Sequence, residues 1–134
     1  MIFGGSWGST LAIAYGEAYP DRCSGFILRG IFLGTQLEID WFVNGMGIFF
    51  PEAKRKFLGL LSKIEREDPL SAFSSRLNNP DLEIRQEAAE VWSFYEESCS
   101  ILLPTNQKLK LSISPSQMLA LARVEVHYFI HQNF

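Results

Sequence analysis

The chain has 134 residues, 47% of them hydrophobic, which is enough for a folded unit and excludes an intrinsically disordered protein. Its 12 basic and 15 acidic residues are spread along the sequence and give a net charge of -3, so we expect no nucleic-acid partner. No apolar stretch approaches the ~20 residues that cross a bilayer, and no signal-peptide pattern opens the chain. We therefore expect a cytoplasmic protein without a membrane partner.

The cysteines indicate neither a redox framework nor a metal centre. Cys23 and Cys99 lack CxxC spacing and have no histidine beside them, so a disulfide framework and a zinc site are both unsupported. We expect both thiols to be buried as small apolar side chains. No metal and no cofactor is expected.

The first part of the chain predicts a strand, a helix and a second strand. Met1 to Phe3 is typical of the end of a strand, and the run from Thr10 to Tyr19 is helix-like and closed by Pro20. The apolar stripe of this helix would contain Leu11, Ala14, Tyr15 and Ala18. The apolar run from Cys23 to Arg29 is typical of a buried strand in a parallel sheet, which completes a βαβ unit.

After Gly34 the pattern predicts helices only. Their expected ranges are Leu37 to Phe49, Pro51 to Lys63, Leu70 to Leu77, Leu82 to Ser98 and Gln117 to His131. A sheet of two strands is marginal by itself, so the chain is expected to be a middle piece of a larger α/β protein. We predict a sheet domain over residues 1–34 and a mainly helical domain over residues 35–134.

A glycine-flanked serine lies between the first strand and the first helix. The segment "GGSWG" matches G-x-S-x-G, the nucleophile elbow, in which a strained turn exposes a serine hydroxyl. Gly4 and Gly8 would supply the space around Ser6, and the backbone N–H of Trp7 would stabilise an oxyanion. Tight packing alone, or phosphate binding at the helix N-terminus, remains open. Walker and dinucleotide-binding motifs do not fit this register.

Five segments in order resemble the prolyl aminopeptidases, also called proline iminopeptidases. They are "GGSWGSTLAIAYGEAYPDR", "LRGIFL", "FFPEA", "WSFYEES" and "ARVEVHYF". The resemblance implies a serine peptidase of the α/β-hydrolase fold that releases N-terminal proline from peptides. Residues 1–34 would then be part of the hydrolase core with its elbow, and residues 35–134 the helical cap.

The resemblance also implies roles for residues near the elbow. Ser6 matches the nucleophile and Trp7 an oxyanion donor. Phe32 matches an aromatic residue that lines the proline pocket, and we group the nearby Arg29 with it as substrate-binding. Phe42 matches a second pocket aromatic of that family.

Two glutamates match the residues that hold the substrate's free amine in that family, Glu96 and Glu125. Helical spacing places Glu125 on a stripe with Met118, Leu121, Ala122, Tyr128 and Phe129, where an unpaired charge is costly. Glu96 falls at the edge of the preceding helix's apolar stripe, one turn beyond Trp92. The two carboxylates would repel each other until an ammonium binds. Simple pairing with Arg29, Arg85 or Arg123 is the alternative interpretation.

The sequence contains no residues that match the family's catalytic aspartate and histidine. Its two histidines, His127 and His131, both fall on the last predicted helix, and His127 belongs to the cap motif. We therefore expect the chain to be inactive by itself. Because a central sheet without its other strands exposes apolar surface and unpaired strand edges, we also expect poor solubility. The alternative hypotheses for the function are a different α/β-hydrolase, such as an esterase, and a non-catalytic truncated gene product. The oligomeric state is not predicted.

Overall fold

The computed structural model describes residues 1–101 and 113–131. Its contacts divide the chain into two compact units, Met1–Ile39 and Asp40–Phe134. The first unit contains a small parallel sheet and the second is helical. Residues 102–112 and 132–134, which fall within the helical domain predicted from the sequence, lie outside the described residues.

The first unit contains the predicted strand, helix and strand. They are β1 (Ile2–Ser6), α1 (Trp7–Ala18) and β2 (Phe26–Ile31). The strands are parallel and pair from Ile2↔Phe26 to Gly5↔Arg29. The register then slips, because Ser6 pairs with Ile31 and leaves Gly30 as an extra residue. Gly30 has a φ of 52°, which glycine adopts without steric cost, so the bulge depends on it.

Helix α1 packs on the two strands with small residues rather than with the predicted apolar stripe. Its buried residues are Ser9, Thr10 and Ala12, whereas Leu11 and Tyr15 are 46% and 41% exposed. The stripe prediction was therefore wrong. Gly16 shows the reason, because a Cβ there would overlap the ring of Phe26. A helix this close to a strand buries small side chains and turns its large ones away.

Strand β2 is not the buried strand that its apolar composition predicts. Five of its six residues are exposed and only Leu28 is partly buried. Ile27 is 52% exposed, and Phe3, its partner in β1, is 74% exposed. The expectation of buried thiols was also wrong, because Cys23 and Cys99 are both only partly buried.

The helices after residue 50 follow the predicted order. Their bounds are α3 (Pro51–Gly59), α4 (Pro69–Leu77), α5 (Leu82–Ser100) and α6 (Pro115–Ile130). Side chains of Asp68, Asp81 and Ser114 accept first-turn N–H groups and mark the starts of α4, α5 and α6. Helix α3 ends at Gly59, earlier than predicted, as expected for a residue with poor helix propensity.

The helix predicted from Leu37 to Phe49 is broken into shorter pieces. They are α2 (Gln36–Asp40), a π-helical turn (Trp41–Gly45) and a 3-10 turn (Met46–Ile48). The hydroxyl of Tyr95 donates to the Phe42 carbonyl at 2.9 Å, and Lys54 Nζ donates to the Val43 carbonyl. Side chains that insert at successive carbonyls disturb the α-helical ladder and favour the wider turn.

An aromatic cluster forms the core of the helical unit. It contains Phe57, Phe73, Trp92 and Tyr95, all fully buried. The ring of Phe57 stacks on Phe73 at a centroid distance of 4.5 Å and on Tyr95 at 4.4 Å. Helix α5 contributes two of the four rings and contacts α3, α4 and α6. Among the described residues, no helix is long and apolar enough to cross a membrane.

Candidate functional site

Ser6 has the strained backbone that the elbow motif predicts. Its φ of 52° and ψ of -126° make it the one non-glycine residue with positive φ in the described part of the chain. It is the last residue of β1 and immediately precedes α1, and it is exposed. Such a conformation costs on the order of 1–3 kcal/mol and concentrates at functional sites.

The space beside Ser6 depends on Gly4 more than on Gly8. A Cβ on Gly4 would overlap the carbonyl group of Gly8 and would lie 3.1 Å from the backbone nitrogen of Ser9. A Cβ on Gly8 would meet nothing within 4 Å. The turn therefore requires glycine at position 4, and the expectation that Gly8 supplies space in the same way is not supported.

Two buried hydroxyl groups attach the end of β2 to the elbow. Ser9 Oγ donates to the Ser6 carbonyl at 2.6 Å and accepts the N–H of Phe32 at 2.9 Å. Thr10 Oγ1 donates to the Phe32 carbonyl at 2.6 Å. Sequence reasoning did not identify Ser9 and Thr10, because hydroxyl side chains are common at helix starts. Their partner Phe32 lies 23 and 22 positions further along the chain.

This network places Phe32 beside the elbow. Its ring centroid lies 6.4 Å from that of Trp7, the first residue of α1. Arg29 is exposed and pairs with Gly5 across the strands. The first unit therefore brings together four of the predicted site residues, namely Ser6, Trp7, Arg29 and Phe32.

The helical unit brings the two predicted glutamates close enough to interact. Glu125 Oε2 accepts the indole N–H of Trp92 at 2.7 Å, which connects α6 to α5. Burial and, secondarily, repulsion from Glu96 raise the pKa of Glu125, the Trp92 hydrogen bond lowers it, and the net result is a pKa of about 7. Glu125 can therefore change its charge near neutral pH.

Glu96 lies on α5 beside this carboxylate. Burial of its carboxyl group raises its pKa above the ordinary value, and repulsion from Glu97 adds to the effect. The residue as a whole is exposed, so solvent moderates this shift. A pair of neighbouring acids with raised pKa values favours binding of a proton or a cation.

Arg85 and Arg123, the two arginines of the helical unit considered as partners of this pair, form no ion pair with it. Arg123 Nε donates to the Leu77 carbonyl at 2.8 Å, and Arg85 Nε has no hydrogen-bond partner among the described residues. The ion pair found within residues 1–101 and 113–131 joins Arg76 and Glu65 at 3.0 Å and includes neither Glu96 nor Glu125. Simple pairing with Arg85 or Arg123 is therefore not observed.

Phe42 lies in the aromatic surroundings of Trp92. Its centroid is 5.2 Å from that of Trp92 and 5.3 Å from that of Phe129, and the ring is partly buried. In the helical unit Phe42 and Glu125 therefore both contact the Trp92 indole, and Glu96 acts on Glu125. The sequence placed Glu96 at the edge of the apolar stripe of its helix, one turn beyond Trp92. It did not identify Trp92 as the donor to Glu125.

The two histidines lie on successive turns at the end of α6. Both are exposed, and their ring centroids are 4.3 Å apart. In the described ranges, no group of three or more His, Cys, Asp or Glu side chains could hold a metal ion. That neither histidine is the catalytic base stays a prediction.

Curated proteins are similar to the chain along its whole length. The chain is 42% identical to a proline iminopeptidase of Arabidopsis thaliana, with 100% of this chain and 36% of that relative aligned. It is 44% identical to a probable proline iminopeptidase of Leptolyngbya boryana, with 100% and 42% aligned. It is 35% identical to a proline iminopeptidase of Neisseria gonorrhoeae, with 98% of this chain and 42% of that relative aligned. No protein-family model matches the chain.

The chain spans 36% to 42% of the length of these relatives. The five segments that carry the resemblance lie within the aligned region, which covers 98–100% of this chain. The resemblance to the proline iminopeptidases is thus confirmed over the whole chain, which corresponds to about two fifths of such a protein.

Proposed function

We propose that the chain forms the nucleophile elbow and the substrate-amine site of a proline iminopeptidase with the α/β-hydrolase fold. In this assignment residues 1–34 are part of the hydrolase core and residues 35–134 are the helical cap. The substrates are peptides with an N-terminal proline, and the protein acts in the cytoplasm. The general base and its acid partner would come from outside these 134 residues.

The observation that carries the proposal is the acidic pair around Trp92. Two neighbouring carboxylates, with no arginine of their own unit paired to them among the described residues, form a site that an ammonium group completes. At 4 Å each carboxylate would contribute roughly 4 kcal/mol of gross Coulomb energy at an effective dielectric near 20, before desolvation is subtracted. An N-terminal proline carries such a cation and an internal peptide bond does not, so the pair would select free N-termini.

The proposed reaction begins at the strained elbow. Ser6 Oγ attacks the carbonyl carbon of the N-terminal proline, and the amine of the next residue leaves as the acyl-enzyme forms. The backbone N–H of Trp7 would donate to the developing oxyanion. Water then hydrolyses the ester and releases free proline. Phe32, Arg29 and Phe42 are assigned as substrate-binding residues on the resemblance to that family.

A chimera tests the nucleophile. These 134 residues replace the aligned segment of the Arabidopsis thaliana relative, which supplies the remaining residues of the protein. We expect hydrolysis of proline β-naphthylamide, with a loss of on the order of 10⁴-fold or more in kcat for Ser6→Ala. Ser24→Ala is the matched control, since Ser24 is an exposed serine of the same unit. Equal activity in the two variants would reject Ser6 as the nucleophile.

The amine site is tested in the same chimera with a free and an acetylated proline substrate. We expect a preference for the free amine of at least 10²-fold in kcat/KM, which Glu125→Gln reduces toward unity. Equal rates on both substrates would contradict the proposed site. Hydrolysis of acyl esters without hydrolysis of proline amides would instead favour an esterase.

A further inference from the structure

We propose that Trp92 is the positioning residue of the acidic pair, because its indole N–H fixes one oxygen of Glu125 and leaves the other oxygen to receive a substrate cation. The substrate part of this inference rests on the proposed function. The positioning part is a property of the helical unit and can be measured without any substrate.

The hydrogen bond has the geometry that such a role requires. Trp92 Nε1 lies 2.7 Å from Glu125 Oε2, which is short for an N–H donor and typical of a charge-assisted bond. An indole has one donor and no acceptor, so it can serve only an oxygen that accepts. Because Oε2 is engaged, Oε1 is the Glu125 oxygen available to an ammonium.

The donor is held rigidly by its surroundings. Trp92 is fully buried, and its ring contacts aromatic rings on several sides. The centroid distances are 5.2 Å to Phe42, 5.3 Å to Phe73, 5.7 Å to Phe57 and 6.2 Å to Phe129. Since these rings belong to different helical segments, the indole cannot turn away without disturbing the core, and its N–H direction is fixed before substrate binds.

The charges around Glu125 make this single donor important. Helices α4 and α5 both pack against α6. From α5 the facing titratable group is Glu96, which repels the Glu125 charge, while Glu97 acts on Glu96. Arg123 of α6 donates its Nε–H to the Leu77 carbonyl of α4. This hydrogen bond is therefore not made to Glu125. Trp92 is therefore the group observed to stabilise the ionised form of Glu125 against burial and repulsion.

The first experiment measures the titration of Glu125 in the full 134-residue chain, using the ¹³C resonance of its carboxyl carbon. We expect a midpoint near 7 in the native sequence. Trp92→Phe keeps an aromatic ring but removes the donor, and it should raise the midpoint by roughly one pH unit. Tyr95→Phe is the matched control, because it removes one hydrogen bond from the same cluster and helix without touching Glu125. An unchanged midpoint in Trp92→Phe, or an equal rise in both variants, would overturn the proposal.

A second measurement does not depend on the folding of a tryptophan variant. The ¹⁵N–¹H resonance of the Trp92 indole in the native chain should titrate with the same midpoint as the Glu125 carboxyl carbon. Glu125→Gln should abolish this titration, and Glu96→Gln should move it to lower pH because it removes a repelling charge. If the Trp92 indole resonance does not shift as Glu125 titrates, the proposal is overturned.

The chimera then separates positioning from the proposed function. Trp92→Phe should raise KM for the free-amine substrate several-fold near pH 7.5 with a smaller change in kcat, and should leave the acetylated substrate unaffected. A KM that responds to neither Trp92→Phe nor Glu125→Gln would reject the amine site. In that case the titrations of Glu125 would still decide whether Trp92 positions it.

Discussion

At the scale of single residues, each unit holds a proposed functional residue in an unfavourable state. Ser6 has a backbone conformation that side-chain-bearing residues rarely adopt, and the missing side chain of Gly4 lets the turn close. Glu125 is an acid whose ionised form is penalised by burial and by a neighbouring acid. Such local costs are typical of functional sites, where stability is lost in return for reactivity or selectivity.

The strain at Ser6 can be measured with two substitutions that both remove the hydroxyl group. Ser6→Gly should be more stable than Ser6→Ala by about 1 kcal/mol, because glycine adopts positive φ without steric cost. Urea unfolding of the two chimeras provides the comparison. If Ser6→Ala is as stable as Ser6→Gly, the positive φ carries no strain.

Glu125 should make the helical unit less stable as the pH rises. Its pKa is raised from 4.5 to about 7 on folding, so the folded state holds the proton more tightly than the unfolded chain does. The free energy of unfolding should therefore be highest below pH 4.5, fall between pH 4.5 and 7, and level off above.

Glu125→Gln should remove this decrease in the free energy of unfolding, while its amide oxygen can still accept the Trp92 indole N–H. We expect the variant to gain on the order of 1–3 kcal/mol over the native chain at pH 8, and little or nothing at pH 4. Urea unfolding followed by helical circular dichroism at both pH values measures the difference. An equal gain at pH 4 and pH 8 would show that the titration of Glu125 is not its cause.

At the scale of elements, α5 organises the helical unit. It contacts α3, α4 and α6, and it supplies Trp92 and Tyr95 to the aromatic core as well as Glu96 to the acidic pair. The π-helical turn at Trp41–Gly45 meets the same helix through Tyr95 and Phe42. Helix α5 therefore contributes to the aromatic core and, together with α6, to the proposed amine site.

The contribution of this core is tested at Phe57, which is fully buried between two stacked rings. Phe57→Ala should cost about 3–5 kcal/mol, the usual range for removing a buried phenylalanine. Ile64→Ala is the control, because Ile64 is a large apolar residue of the same unit that is 81% exposed. It should change the free energy of unfolding by less than about 0.5 kcal/mol. Similar losses in both variants would mean that Phe57 does not anchor the core.

At the scale of the whole molecule, the first unit has too little structure to cover its own sheet. The sheet has two strands, and α1 packs against both of them. Paired positions such as Phe3 and Ile27 remain largely exposed, as do Ile31 and Leu33 beyond them. Apolar surface of this kind, next to unpaired strand edges, promotes association.

We therefore expect the isolated 134-residue chain to self-associate. The paired substitutions Phe3→Thr and Ile27→Thr keep strand propensity while making the exposed face more polar, and they should increase the soluble monomer fraction. Ile64→Thr changes an exposed residue outside the sheet and should not increase the monomer fraction. Size-exclusion chromatography over a range of concentrations measures the outcome. A monomer in the native chain at high concentration would contradict the expectation.

Sequence alone determined the features that depend on neighbouring residues. The strand, the glycine-flanked Ser6 and the following helix were predictable because the elbow motif is local, and proline and N-cap residues located the helix starts to within a few residues. Helical spacing also placed Glu125 on the side of α6 that faces the protein, although Leu121 of the predicted stripe is 57% exposed and Val126 is buried instead. The tertiary structure decided what depends on distant partners. The Trp92–Glu125 bond joins positions 33 apart, and the Ser9–Phe32 bond joins positions 23 apart. Single-sequence patterns do not report which distant residues meet, because those contacts follow from the packing of whole elements.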